Sequence, residues 1–192
     1  YASNVYAAPQ SILTIQAPDE VSFEKFVEEN KQVIIDFFTQ AEMNRQISVL
    51  KDKHSDYIAT KVKSQFACDV WVPGELTSTK EGENFFWAGT NAATGDQTFV
   101  IYSYPYKDKD TFTKEYFVHK RDSVMKINIP GAQEGMYMST DSLMTDVRPI
   151  SVQGDYALEA RGLWRVKGDF MGGPFVSHVR LDKANQRIIV SE

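Results

Sequence analysis

The amino-acid sequence predicts an α+β domain in which an antiparallel sheet is covered by helices, mainly on one face. Three observations support this fold class. Apolar residues recur every three or four positions over residues 22–53, which is the spacing of an amphipathic helix. Apolar and polar residues alternate from Leu158 to Lys167, which is typical of a half-buried antiparallel strand. Segments follow in the order strand, helices, strands, helix, strands.

Length and composition indicate a globular protein with one core. The chain has 192 residues, of which 42% are hydrophobic and 24% are charged. We expect residues 1–9 to form a linker or arm, and residues 10–192 to form a single α+β domain that belongs to a longer precursor. The net charge of −5 disfavours nucleic acid as a partner, because binding phosphates needs a surplus of Lys and Arg.

Other compositional features exclude several classes of protein. The single cysteine, Cys68, excludes an intrachain disulfide and any multi-thiolate metal site. No apolar run is long enough to span a bilayer, and the sequence contains no signal peptide. Because the chain starts at Tyr1 without a methionine, we expect it to be a processed or excised product.

Residues 1–67 predict one short strand and two helices. Residues 10–16, QSILTIQ, form the strand, because they are mostly β-branched and apolar. The helix over residues 22–53 begins among acidic side chains and ends among lysines, as the helix dipole favours, with a break near Asn30 left open. Its phenylalanines are expected to be core, because their burial would hold the helix on a sheet. A second helix follows over residues 55–67.

The rest of the chain predicts strands around one further helix. That helix spans residues 113–125, with Thr111 or Thr113 as its N-cap. Pro and Gly residues mark the turns between the strands. The predicted strands are 69–72, 76–80, 84–89, 98–104 (after a loop over 90–97), 136–140 and 147–152, followed by three strand segments within 154–191.

Sequence motifs for catalysis or metal binding are lacking. His54, His119 and His178 lie far apart, and none has a second ligand residue at a spacing typical of metal sites. Neither a G-x-S-x-G nucleophile elbow nor a glycine-rich phosphate loop occurs. We interpret Cys68 as a small buried hydrophobe rather than half of a catalytic dyad. The sequence therefore predicts no catalytic residue, no metal and no cofactor.

The candidate functional surface lies in residues 154–192. If the strands there pair as a meander, basic side chains of neighbouring strands share one face and form a cationic strip. The segment 168–174 carries large apolar side chains where turns are usually polar. The pair Gly172 and Gly173 either frees the backbone for a bulge or turn, or lets a ligand approach it closely. The predicted ligand-binding residues are Arg161, Trp164, Arg165, Lys167, Phe170, Met171, Gly172, Gly173, His178 and Arg180.

Two interpretations of the cationic strip remain open. In the functional one, guanidinium groups bind carboxylates or phosphates of a ligand, with Trp164 and the 168–174 segment as an apolar shelf. In the structural one, Glu159, Asp169 and Asp182 pair with the cations across strands. The sequence from 154 to 192 holds six basic and five acidic residues, and this near balance favours the structural interpretation.

A family resemblance extends over nearly the whole chain from Gln10 onward. It is carried by the runs EENKQVIIDFFTQAE and FVIYSYPYKDKDTFTKEYFVHKRDSV and, most specifically, by ARGLWRVKGDFMGGPFVSHVRLD. These runs resemble an uncharacterised Bacteroidota family, a domain of unknown function found mostly in cell-envelope lipoproteins. The resemblance implies an upstream export signal with a lipidation cysteine, further sequence after Glu192, and a periplasmic or outer-membrane anchored location. It implies no activity, substrate or catalytic residue. The order of strands and helices also resembles that of PsbP-like folds, and this analogy implies no function.

Three functions from different classes remain open. The favoured one is a non-enzymatic envelope module that binds a glycan, a lipid headgroup or a protein partner through its C-terminal sheet face. Membrane contact is then expected only through a lipid anchor outside the chain. The second is a hydrolase-type enzyme whose site combines distant residues. The third is a structural or oligomerisation domain. A buried 168–174 segment with internally paired cations would count against the first function.

Overall fold

The structure, a computed structural model, describes residues 1–90 and 95–192. Contacts divide the chain into two compact units, Tyr1–His54 and Ser55–Glu192, and each is described by itself. Helices and antiparallel strands together confirm the predicted α+β class. The expected single domain over residues 10–192 stays a prediction.

The first unit is built around helix α1, Glu20–Lys53. Asp19 caps the start of α1 because its carboxylate accepts a hydrogen bond of 2.7 Å from the backbone N–H of Ser22. The helix runs through Asn30 without a break, and the Asn30 amide donates to the Phe26 carbonyl. The long helix predicted from the apolar spacing is therefore confirmed.

The N-terminal residues form a small hairpin rather than a longer strand. β1, Ala2–Ser3, pairs antiparallel with β2, Ser11–Ile12. The strand predicted over 10–16 is therefore two residues long, and its partner lies within the predicted arm over 1–9.

The apolar stripe of α1 is not core, so that prediction is wrong. Every residue of α1 is described and none is buried, and Phe23, Phe26 and Phe38 are all exposed. The hairpin is too small to cover a helix of 34 residues, although Tyr1 does contact Phe37 with 5.7 Å between the ring centroids. Helical spacing predicts which face is apolar, but it does not say whether another surface covers that face.

The second unit contains one antiparallel sheet and two helices. The helices are α2, Asp56–Phe66, and α3, Lys114–Asn128, and a 3₁₀ turn spans Lys109–Phe112. The described strands lie in the order β3-β4-β5-β10-β9-β8-β6, and β7 also pairs with β8. Their bounds are β3 Ser78–Gly82, β4 Phe85–Gly89, β5 Thr98–Pro105, β6 Met138–Thr140, β7 Asp146–Val152, β8 Asp155–Val166, β9 Gly172–Asp182 and β10 Arg187–Ser191.

The C-terminal strands pair as the alternation predicts. β8, β9 and β10 form an antiparallel meander in which Glu159 lies opposite His178, and Arg180 lies opposite Ile189. Thr113 is the N-cap of α3, one of the two alternatives given by the sequence. The strand predicted over 69–72 is absent from the described structure.

The two helices of the second unit pack on opposite faces of the sheet. On β4, Phe85 belongs to the cluster that contains Phe117 of α3, whereas its neighbour Phe86 belongs to the cluster that contains Ile58 of α2. We call the face that carries Phe85 and packs on α3 the inner face. The face that carries Phe86 and packs on α2 is the outer face. The helices therefore divide between two faces instead of covering mainly one. The physical reason is that β4 is apolar on both sides, so each side needs a cover.

Candidate functional site

The carboxylate of Glu159 is the centre of the charged outer face. Its Oε1 accepts hydrogen bonds from the Nε atoms of Arg148 and Arg161, both at 2.7 Å, and its Oε2 lies 3.3 Å from Nε2 of His178. The side chain of Glu159 is only 6% exposed although its partners reach solvent. The Arg161 hydrogen bond is the main cause that lowers the pKa of Glu159 to about 2. Glu159 is thus ionised and shared by two arginines and His178.

The remaining predicted cations are also engaged, but less tightly. Arg165 lies 3.8 Å from a carboxylate oxygen of Asp141, and Arg180 lies 3.8 Å from Asp155. Lys167 is not part of the strip. Its ammonium group neighbours Tyr137 instead, 5.9 Å from the ring centroid. Arg161, Arg165, His178 and Arg180 therefore form the cationic strip, and each has a carboxylate neighbour.

The structural interpretation of the strip is supported for one of its three acidic residues. Glu159 pairs across strands as expected. Asp182 also pairs across strands, but with Arg187 of β10 at 2.9 Å, a cation outside the strip. Asp169 accepts a hydrogen bond from the backbone N–H of Phe170 at 2.6 Å. The strip therefore offers partly exposed guanidinium groups that each have a carboxylate neighbour, although Glu159 is shared with Arg148 and Asp155 is shared with Lys183.

A second candidate site is a cleft that is lined by all three tryptophans of the chain. Trp87 comes from β4, Trp164 comes from β8, and Trp71 comes from the segment before β3. The cleft has a volume of about 1030 Å³. Its walls also include Phe99, Ile129, Met138, Met171, Gly172, Gly173 and Pro174. We call it the tryptophan cleft.

The two adjacent glycines of β9 allow Trp164 to lie flat against the neighbouring strand. A Cβ atom at Gly173 would lie 3.2 Å from Nε1 of Trp164, and one at Gly172 would lie 2.7 Å from the Trp164 carbonyl oxygen. Close packing inside the protein thus accounts for both positions, and it is neither of the two interpretations left open for this pair. The glycines still form part of the cleft wall.

The lining of the tryptophan cleft is apolar and nearly free of charge. Asp96 is the single charged side chain among its described lining residues, and no lysine, arginine or histidine lines it. Gln97, Thr98 and Ser191 provide neutral groups that can donate and accept hydrogen bonds. Such a lining suits a neutral ligand that has flat apolar faces and a few polar groups.

The ten residues predicted from the sequence fall into separate places. Trp164, Met171, Gly172 and Gly173 line the tryptophan cleft. His178 and Arg180 line another groove, of about 690 Å³, next to the C-terminal end of α2. Arg161 and Arg165 lie on the exposed outer face, whereas Lys167 and Phe170 belong to the turn between β8 and β9.

Sequence reasoning did not identify Trp71 and Trp87 as site residues. They stand far from Trp164 along the chain, so no local spacing could relate the three. The signal that could have drawn attention to them is composition, because tryptophan is amphipathic and often lines binding surfaces.

The described residues give no sign of a metal centre. Within residues 1–90 and 95–192, no three His, Cys, Asp or Glu side chains gather in a way that could hold a metal ion. Cys68 is a free, partly exposed thiol, and burial raises its pKa, which disfavours the reactive thiolate. In the part of the chain that the structure covers, none of the helices has the length and apolar character needed to cross a membrane.

Comparisons with known proteins give two family matches. Residues 55–192 match a family described as Domain of unknown function (DUF4837). Residues 1–51 match a second family, described as Domain of unknown function (DUF8532). The comparison with curated proteins and the comparison with solved structures give no match.

Proposed function

We propose a function from the geometry of the site alone. The chain belongs to the DUF4837 family, whose description, a domain of unknown function, names no activity. The proposed function is non-enzymatic binding of a neutral glycan in the tryptophan cleft. The observation that carries this proposal is that Trp71, Trp87 and Trp164 all line one cleft.

The chemistry of the cleft fits a sugar chain. A pyranose ring has C–H groups on its flat faces and hydroxyl groups around its rim. An indole ring offers a rigid apolar surface for the face, and its N–H group can donate to a hydroxyl. Gln97, Thr98 and Ser191 add hydrogen-bonding groups for the rim. Because no basic side chain is found in the described lining, we expect neutral glycans to bind better than acidic ones.

The cationic strip is the less favoured binding surface. An anionic ligand there would have to compete with Glu159, Asp141 and Asp155, which already neighbour the strip. The exposed pairs contribute little stability individually, but together they weaken the field that would attract an anion.

Intrinsic fluorescence tests the proposal directly. Because all three tryptophans line the cleft, a bound glycan should change their emission during titration with neutral oligosaccharides. Trp71 is 47% exposed, so a ligand that covers the exposed part hides on the order of 100 Å², worth roughly 2 kcal/mol. We therefore expect Trp71→Ala to weaken binding by roughly thirtyfold.

Tyr57→Ala is the matched control for this titration. Tyr57 is another half-exposed aromatic residue, but it lies on α2 and outside the lining of the cleft. The control variant should bind like the wild type, and a thermal melt should show that both variants are folded. If no neutral oligosaccharide changes the emission or the melting temperature, or if both variants weaken binding equally, the proposal is wrong.

The proposed location is the cell envelope, at the periplasmic side or anchored to the outer membrane. Its support is the resemblance to a Bacteroidota family of envelope lipoproteins, together with a cleft suited to glycans, which are abundant there. Fractionation of cells that express the complete gene product, with labelling of lipid-modified cysteine, tests this location. Recovery of unlipidated protein in the cytosol would contradict it.

A further inference from the structure

Phe170 stands fully exposed at the turn between β8 and β9. Its neighbour Met171 is also exposed. Removing a phenylalanine side chain from water is favourable, and turns usually carry polar residues instead. An apolar side chain held in solvent at such a turn therefore points to a partner that covers it.

The turn is held firmly, so the exposure of Phe170 follows from the fold. The N–H of Val166 donates to the Met171 carbonyl at 2.8 Å, and the N–H of Asp169 donates to the Val166 carbonyl at 3.1 Å. Gly168 adopts a φ of +87°, a conformation that glycine reaches without strain. The N–H of Lys167 donates to the carbonyl of Tyr137 at 2.9 Å and fixes the base of the turn.

Two ammonium groups lie beside this turn. The Nζ atoms of Lys126, from the last turn of α3, and Lys167 lie 5.7 Å and 5.9 Å from the ring centroid of Tyr137. Neither lysine has a carboxylate partner among the described residues, unlike the arginines of the cationic strip. The next residue of α3, Ile127, is another exposed apolar side chain. An apolar tip and two ammonium groups thus occur together on an acidic protein, and the one carboxylate of the turn, Asp169, accepts a hydrogen bond from the backbone N–H of Phe170.

We propose that this tip, defined by Lys126, Lys167, Phe170 and Met171, docks on a bilayer surface that contains anionic lipids. Phe170 and Met171 insert between headgroups, and the two ammonium groups contact lipid phosphates. A protein partner fits less well, because stable protein interfaces bury roughly 20–30 residues on each side and the tip offers only a few. The contact is separate from the lipid anchor that the family resemblance implies.

Vesicle sedimentation with the whole chain tests this proposal. The probes are phosphatidylcholine vesicles and phosphatidylcholine vesicles that contain phosphatidylglycerol, at millimolar lipid because so small a tip binds weakly. We expect sedimentation with the anionic vesicles and release at high salt, because salt screens the lysine contacts. Phe170→Ser should lower the partition coefficient by about tenfold or more.

Leu143→Ser is the matched control. Leu143 is 92% exposed, and its connection between β6 and β7 contacts β8 near Gly162, about 13 Å along the strand before the turn. This control should sediment like the wild type. Because Phe170 and Leu143 contribute little to the core, both variants should keep the wild-type melting temperature.

Three results would overturn the proposal. They are no sedimentation of the wild type with anionic vesicles, equal sedimentation with neutral vesicles, and equal loss in Phe170→Ser and Leu143→Ser. The first result would turn the search for the partner of Phe170 towards a protein. Failure here is distinguishable from failure of glycan binding, because Trp71→Ala should keep vesicle binding and Phe170→Ser should keep glycan binding.

Discussion

Replacing Glu192 with Gln should strongly destabilise the second unit, because it removes the counter-charge of a buried guanidinium. Arg121 of α3 is fully buried. Its Nε and Nη2 donate to the two carboxylate oxygens of Glu192 at 2.8 Å and 2.7 Å. Its Nη1 donates to the Thr140 hydroxyl at 3.0 Å, and its guanidinium carbon lies 4.4 Å from the ring centroid of Phe175.

The size of the effect follows from what remains after the substitution. Removing one partner of a buried ion pair costs about 3–5 kcal/mol, because the other charge stays buried without compensation. Glutamine keeps one oxygen acceptor for Arg121 and for Ser177, whose hydroxyl donates to Glu192 at 2.7 Å. We therefore expect Glu192→Gln to lower the free energy of unfolding by about 3 kcal/mol, the lower end of that range. This loss corresponds to a melting temperature lower by roughly 6–12 °C for a protein of this size.

Urea unfolding followed by circular dichroism at neutral pH measures this loss. The double variant Arg121→Met, Glu192→Gln is the informative companion, because it removes both charges from the core. It should be more stable than Glu192→Gln alone. A loss below about 1 kcal/mol in Glu192→Gln, the range typical of exposed pairs, would refute the reasoning. A double variant less stable than the single one would also refute it.

Four further substitutions test local features of the fold. Glu159→Gln should lower the free energy of unfolding by about 1–3 kcal/mol at pH 7. The folded pKa of Glu159 is about 2 against an ordinary 4.5, so this difference from the wild type should shrink as the pH falls through that interval in urea titrations. Gly172→Ala should lower the free energy of unfolding by about 1–3 kcal/mol, because the new Cβ would lie 2.7 Å from a backbone oxygen. At Gly173 the new Cβ would meet the side chain of Trp164, so Gly173→Ala should lower the melting temperature less than Gly172→Ala does. Thr113→Ala should cost about 1 kcal/mol in the same assay, because the Thr113 hydroxyl caps α3; an unchanged transition would contradict that role.

The C-terminal meander was predictable because its information is local. Alternation from Leu158 to Lys167 fixes which residues of β8 face the core, and the next segments continue the same period. The inner-face positions Leu158 and Ala160 are indeed buried. The register that places Glu159 opposite His178 follows once the strands are antiparallel neighbours.

The role of α1 was not predictable from its own sequence. Spacing correctly predicted a long helix, yet residues such as Phe26 and Phe38 are exposed rather than core. A helix buries its apolar stripe only where another surface lies against it. That surface is a property of the whole fold, so the stripe alone cannot report it.

The candidate sites show the same division between local and non-local information. The apolar turn with Phe170 could be recognised from sequence, because large apolar residues replaced the usual polar ones within a few positions. The tryptophan cleft could not, because Trp71, Trp87 and Trp164 come together only when β4 and β8 belong to one sheet. Charge composition did not indicate the cleft either. Arg161 and Arg180 have carboxylate neighbours, whereas the cleft proposed as the ligand surface has a single charged side chain among its described lining residues.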